Sequence, residues 1–118
     1  MSEESKLYYY KAKVTRILDG DTVDAVIDMG FDISVKKRIR FLGIDAYETR
    51  TKDLEEKAKG LKAKAYMQEL IDNVDGSIII NSINKSDAFG RVLAVVYAGE
   101  LNLCQEMLDK GHAVVYKR

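Results

Sequence analysis

Three consecutive segments rich in β-branched and aromatic residues, joined by very short turns, constrain the fold of this chain most strongly. These segments span residues 7–18, 22–29 and 33–42. The dipeptide Asp19-Gly20 separates the first two segments, and Gly30-Phe31-Asp32 interrupts the pattern before the third. Alternating segments bounded by such turn residues are typical of β-strands and hairpins. We therefore predict a meander of three antiparallel strands in the first third of the chain.

The residues that follow have the period of a helix. Between Ala63 and Ile71, apolar residues recur at positions i, i+3, i+4, i+7 and i+8. This spacing places them on one stripe of an α-helix, with the lysines of the segment mostly outside it. We predict a helix over 55–72, with a start at Gly60 as the alternative.

Two further strands and a short helix complete the predicted elements. The strands cover 77–83 and 91–97, and Asn102 is placed to cap a helix that stops at Gly111. Three strands, a helix, two strands and a helix is the element order of an OB-type barrel. We predict an α+β, mainly β fold. It is a five-stranded OB-fold barrel (Greek key) with one long helix between strands three and four and a short helix after strand five.

Length and composition restrict the class of protein. The 118 residues suit one domain over 1–118. The single cysteine excludes an intramolecular disulfide framework and every CxxC metal site. No apolar run approaches the ~20 residues of a membrane span, and the acidic N-terminus lacks the apolar region of a signal peptide. We expect a monomer without membrane contact, cytoplasmic, or secreted if a leader has been removed.

Charge is balanced in total but not in distribution. Nineteen Lys and Arg match nineteen Asp and Glu, so there is no overall attraction to nucleic acid. Five aspartates and no base lie between Asp19 and Asp32, whereas four bases and no acid lie between Lys36 and Arg40. An acidic segment followed by a basic one fits a site that holds a cation and an anion. It also fits two solvated strands, which is the more common origin of charge blocks.

The predicted hairpin brings several of these charges together. If strands two and three pair around their turn, Asp21 lies opposite Phe41 and within one pleat of Arg40. Asp45 and Glu48 follow the end of strand three, on the same side. We predict that three carboxylates and a guanidinium meet at one rim of the barrel. Carboxylate oxygens suit a hard cation such as Ca²⁺ or Mg²⁺.

Three segments together resemble a known family. They are DGDTV at 19–23, RIRFLGIDAYE at 38–48 and DAFGR at 87–91. Taken singly they are weak, because Asp-Gly-Asp is usually only a turn and a lone arginine is usually a surface charge. In this order and spacing they resemble the thermonuclease, or staphylococcal-nuclease-like, family from about Lys11 to Gly111. The resemblance implies cleavage of DNA and RNA phosphodiesters with little sequence preference.

The resemblance also implies a Ca²⁺ cofactor. Its ligands would be the carboxylates of Asp21 and Asp45 and the backbone carbonyl of Ala46. Asp19 would lie just outside these ligands. Where the family usually has proline before its glutamate, this chain has Tyr47, which frees φ and restores an N–H. Glu48 is then expected to be held less firmly, with a consequence for the rate.

Catalytic and substrate-binding roles follow from the same resemblance. Glu48 matches the general base that activates water, and Arg40 and Arg91 match the arginines that bind the scissile phosphate. Phe89 and Tyr116 are the candidates for contact with the bases.

Two alternatives to a nuclease stay open. One is a catalytically silent nucleic-acid or protein-binding domain of the same fold, and the other is an unrelated OB-type adaptor whose charges only solubilise it. Silent copies in the family typically lose the acids and arginines. Here the set is intact, which favours the enzyme.

Overall fold

The structure of the chain is a computed structural model that describes residues 7–86 and 90–116. Its strands are β1 (Tyr9–Asp19), β2 (Thr22–Gly30), β3 (Ile33–Phe41), β4 (Ile44–Ala46), β5 (Ser77–Ser86), β6 (Val92–Ala98), β7 (Leu101–Asn102) and β8 (Ala113–Val115). Its helices are α1 (Leu54–Asp72) and α2 (Leu103–Asp109). Within these described ranges, no helix is long and apolar enough to cross a membrane.

Five strands form the predicted barrel. The main sheet has the order β3-β2-β1-β5-β6-β7, and β6 also pairs in parallel with β3, which closes the sheet on itself. The first three strands are neighbours in sequence order, as the meander requires. The mainly β, OB-type class is therefore confirmed. β7 extends β6 by one short pairing, and β4 and β8 form a separate two-stranded sheet.

Apolar side chains from the strands fill the barrel and α1 covers it. Val23, Ile39 and Phe41 are fully buried inside, and Ala63 and Met67 on α1 are fully buried against them. This is the stripe that the sequence predicts for the helix. Burying the larger of these side chains, those of Val, Ile, Phe and Met, stabilises the fold by roughly 1.5–3 kcal/mol each.

Helix α1 begins where its capping residue dictates. The carboxylate of Asp53 accepts hydrogen bonds from the backbone N–H groups of Glu55 and Glu56, and these two acids lie in the positive first turn. The predicted range of 55–72 is confirmed to within one residue. The alternative start at Gly60 is wrong, because this buried glycine lies inside the helix.

Candidate functional site

The site is built around a buried ion pair between β2 and β3. Thr22 pairs with Arg40, and the N–H of Phe41 donates to the carbonyl of Asp21 at 2.8 Å. This is the register predicted from the turn. Nη1 of Arg40 lies 3.2 Å from Oδ2 of Asp21, and both residues are only 6% exposed. A charged pair withdrawn this far from water must satisfy its remaining polar atoms within the protein.

Neighbouring groups meet that requirement. Oδ1 of Asp21 accepts from the hydroxyl of Thr22 at 2.8 Å, and Oδ2 accepts from the N–H of Ala46 at 2.8 Å. Nη2 of Arg40 lies 3.3 Å from Oδ1 of Asp45, a side chain that is 51% exposed. Strand β4, which carries Asp45 and Ala46, is thus tied to the beginning of β2. One guanidinium bridges a buried carboxylate and a solvent-facing one.

Tyr116 lies on the other side of the same arginine. The guanidinium carbon of Arg40 is 5.9 Å from the centre of the Tyr116 ring, within cation–π range. The backbone N–H of Tyr116 donates to the carbonyl of Gly43 at 2.9 Å, which fixes the end of β8 beside the turn after β3. The predicted base-contact residue and a predicted phosphate-binding residue are therefore neighbours.

The segment that carries Glu48 is fastened on both sides. The hydroxyl of Thr49 donates to Oδ1 of Asp19 at 2.8 Å. On the other side, the backbone of Glu48 approaches α1 so closely that a Cβ on Gly60 would lie 2.2 Å from the Glu48 carbonyl oxygen. Such a distance leaves room for no residue but glycine. Asp19 and Gly60 together set the position of the Glu48 backbone.

Tyr47 adds a third contact to this segment. The ammonium group of Lys59, the residue before Gly60, lies 5.2 Å from the centre of the Tyr47 ring. The residue that replaces the family's proline therefore packs against the same helix. Neither Gly60, considered above only as a helix start, nor Lys59 was predicted to belong to the site. The signal for Gly60 was its place inside a strongly helical segment. Glycine there destabilises a helix by about 1 kcal/mol relative to alanine, so its presence usually has a packing reason.

The predicted meeting of three carboxylates is found for two of them. Asp21 and Asp45 share Arg40, whereas Glu48 is an exposed residue whose backbone is held against α1. Across residues 7–86 and 90–116, no group of three or more His, Cys, Asp or Glu side chains is placed to hold a metal ion.

Arg91 lies at a groove beside this cluster. The groove has a volume of about 920 Å³, and its lining includes Arg91 together with Asp19 and Thr22, the residues on either side of Gly20 and Asp21. The pairing of Val92 with Ile39 places the start of β6 next to the end of β3 that carries Arg40. Phe89 lies outside the described residues, so its predicted role stays a prediction.

The donor atoms present suit a hard cation. The carboxylates of Asp21 and Asp45 converge on the Arg40 guanidinium, and the Ala46 N–H donates to Asp21, which holds the backbone at Ala46 beside that carboxylate. All the predicted ligand atoms are oxygens, as Ca²⁺ prefers. The one cysteine, Cys104, is buried, and burial raises the pKa of its thiol, so it stays protonated and does not compete as a ligand. The residue types therefore fit the cation that the resemblance implies, whose carboxylate ligands would be Asp21 and Asp45.

The chain is similar to several known proteins. A family model described as staphylococcal nuclease homologue matches residues 38–118. An uncharacterized protein of Bacillus anthracis is 25% identical over 89% of the chain and 47% of its own length. An uncharacterized protein of Methanocaldococcus jannaschii is 30% identical over 92% of the chain and 60% of its own length. A protein of Escherichia coli with the name uncharacterized endonuclease is 32% identical over 90% of the chain and 61% of its own length.

Two features of these matches bear on the site. The family match includes Arg40, Asp45, Glu48 and Arg91, whereas the hairpin turn with Asp21 precedes it. The chain spans about half to three fifths of the length of the curated relatives named above.

Proposed function

Since the chain belongs to the staphylococcal nuclease homologue family, we propose that it is a Ca²⁺-dependent nuclease. It would hydrolyse phosphodiester bonds of DNA and RNA with little sequence preference. The endonuclease names of two Escherichia coli relatives support the reaction class. The observation that carries the proposal is the buried Arg40 guanidinium between Asp21 and Asp45, beside a groove whose lining includes Arg91.

The residue types suit this reaction. Attack on a phosphodiester builds negative charge on the phosphoryl oxygens, and the guanidinium groups of Arg40 and Arg91 would stabilise that charge through directed hydrogen bonds. In the proposed step, Glu48 takes a proton from water as the water oxygen bonds to phosphorus. The bond from phosphorus to the 5′-oxygen breaks, this oxygen takes a proton from solvent, and a 3′-phosphate remains. Ca²⁺ bound by Asp21, Asp45 and the Ala46 carbonyl would polarise a phosphoryl oxygen.

Cleavage of single-stranded DNA in Ca²⁺ and in EDTA tests the proposal. We expect Glu48→Gln to lower kcat by at least about 100-fold, because the amide cannot accept the proton. Arg91→Lys keeps the charge and loses the bidentate geometry, so kcat should also fall. Lys57→Gln, an exposed change on α1, is the matched control and should keep full activity.

Each result of this assay points to one function. No cleavage by the natural sequence with any divalent ion would overturn the enzyme proposal. Binding of DNA without cleavage would identify the silent binding domain, and absence of both would leave the adaptor. Full activity of Glu48→Gln would contradict the role of Glu48 as general base, but not the proposal that the protein is a nuclease.

Metal affinity gives an independent prediction. Asp45→Asn is expected to weaken Ca²⁺ binding by at least about 10-fold, because one anionic oxygen ligand is lost. Asp45 is preferable to Asp21 for this test, because its half-exposed side chain is replaced without stranding a buried charge. Calorimetric titration measures the change, with Glu69→Gln on the exposed face of α1 as the control. Equal affinities of the two variants would contradict the ligand assignment.

A further inference from the structure

The groove that contains Arg91 continues across the outer face of the first three strands, and its lining is strongly basic. Among the residues that the structure describes, six basic side chains line it: Arg16, Lys36, Lys37, Arg38, Arg50 and Arg91. Two acidic side chains from the same described part of the chain, Asp19 and Asp24, line it with them. The net charge of the whole chain is zero. The groove is therefore a local basic surface on a protein without net charge, and the net charge alone does not indicate it.

One row of charges across the sheet fixes the middle of this surface. Asp24 pairs with Arg16 on β1 and with Arg38 on β3, so the three side chains lie side by side. Nε and Nη2 of Arg38 lie 2.8 and 3.2 Å from the two carboxylate oxygens of Asp24. This hydrogen bonding lowers the pKa of Asp24, and the charges of Arg38, Arg16 and Lys36 add to the effect. Asp24 thus stays ionised and orients Arg38, while the basic charge around it remains in excess.

The length of the surface exceeds what one phosphate needs. From Arg40 to Lys36, β3 advances about 13 Å at its usual rise of ~3.3 Å per residue. A surface of that length has room for more than one phosphate of a polynucleotide chain. Arg38, paired with Asp24, lies between these two ends, and Lys36 and Lys37 are exposed. Arg40 and Arg91 account for the scissile phosphate only.

We propose that this groove binds the phosphates of a single-stranded polynucleotide, which runs from the cleaved bond along β3 toward Lys36. The inference rests on the proposed function and deepens it: the substrate is a chain that occupies the groove, and short oligonucleotides are poor substrates. Each lysine or arginine that neutralises a phosphate releases bound counterions, so affinity falls with salt in proportion to the number of phosphates neutralised.

A pair of double variants tests the groove. Lys36→Gln/Lys37→Gln removes two charges from the groove, and Lys57→Gln/Lys62→Gln removes two exposed charges from α1. Binding of a fluorescent 12-nucleotide DNA, measured by anisotropy in EDTA over a range of salt, should weaken about 10-fold for the groove variant only. Its logarithmic salt slope should become shallower by about 0.7 for each phosphate that the variant no longer neutralises. Asp24→Asn, which removes an acid from the groove, should strengthen binding.

Substrate length separates the groove from the cleavage site. The groove variant should raise KM about 10-fold on the 12-nucleotide DNA and leave cleavage of a trinucleotide unchanged. Equal weakening by the groove and α1 variants would overturn the inference, since only total charge would then matter. Because binding is measured without turnover, it tests the groove even if no cleavage occurs. Conversely, if the protein cleaves DNA and the Lys36→Gln/Lys37→Gln variant has an unchanged KM, the groove inference is wrong while the nuclease proposal stands.

Discussion

Replacing Gly60 by alanine is expected to lower kcat about 100-fold, although Gly60 contacts no proposed substrate group. The added Cβ would lie 2.2 Å from the carbonyl oxygen of Glu48 and 2.9 Å from the N–H nitrogen of Thr49. Backbone atoms cannot rotate away as a side chain does, so the segment or the helix must move by about 1 Å. A displacement of that size in a catalytic group costs about 100-fold in rate.

Gly60→Ala is also expected to destabilise the protein, whereas the same substitution stabilises most helices. Inside an ordinary helix, alanine in place of glycine stabilises by about 0.5–1 kcal/mol. At Gly60 the clash opposes this gain, so we expect the free energy of unfolding to fall. Urea unfolding and steady-state cleavage would be measured together. Leu61→Ala, on an exposed position one residue along, is the control and should keep its rate. A more stable and fully active Gly60→Ala would show that α1 and the Glu48 segment do not touch.

The same glycine shows where prediction from the sequence reached its limit. The barrel, the helix bounds and the pairing of Asp21 with Phe41 follow from periodicity and turn position, because these are local patterns. Strands β4, β7 and β8 contain two or three residues each, too few to show a period. The contact between Gly60 and Glu48 joins segments 12 residues apart across an irregular loop. No repeat in the sequence encodes such a distance.

The sequence predicted which charged residues lie close together, but not the individual contacts within the loop that follows β4. The hairpin register placed Arg40 next to Asp21, and the order of segments placed Asp45 nearby. Two other contacts depend on side-chain directions in the loop. The hydroxyl of Thr49 donates to Asp19, and the Tyr47 ring packs on Lys59. These directions are set by tertiary packing and not by residue type.

Arg40→Met is expected to lower the free energy of unfolding by about 3–5 kcal/mol, the usual loss when one partner of a buried ion pair is removed. Asp21 is 6% exposed, so its carboxylate would be left buried without its cationic partner. The double variant Arg40→Met/Asp21→Asn should recover much of this loss, because no buried charge is then unpaired. Urea unfolding of the four proteins in this cycle gives the coupling energy directly.

Arg38→Met provides the matched control. Nε of Arg38 lies closer to Asp24, at 2.8 Å, than Arg40 does to Asp21, at 3.2 Å, but the Arg38 side chain is 47% exposed and the Arg40 side chain 8%. Water screens the exposed pair, so its removal should change stability far less. Equal losses for the two arginines would contradict the burial argument. If the losses of unfolding free energy differ as expected, an inactive Arg40 variant has lost stability as well as a guanidinium group. Its inactivity then does not by itself show a catalytic role for Arg40. The proposed transition-state role of the two arginines is then tested at Arg91, where a substitution leaves the Asp21–Arg40 pair in place.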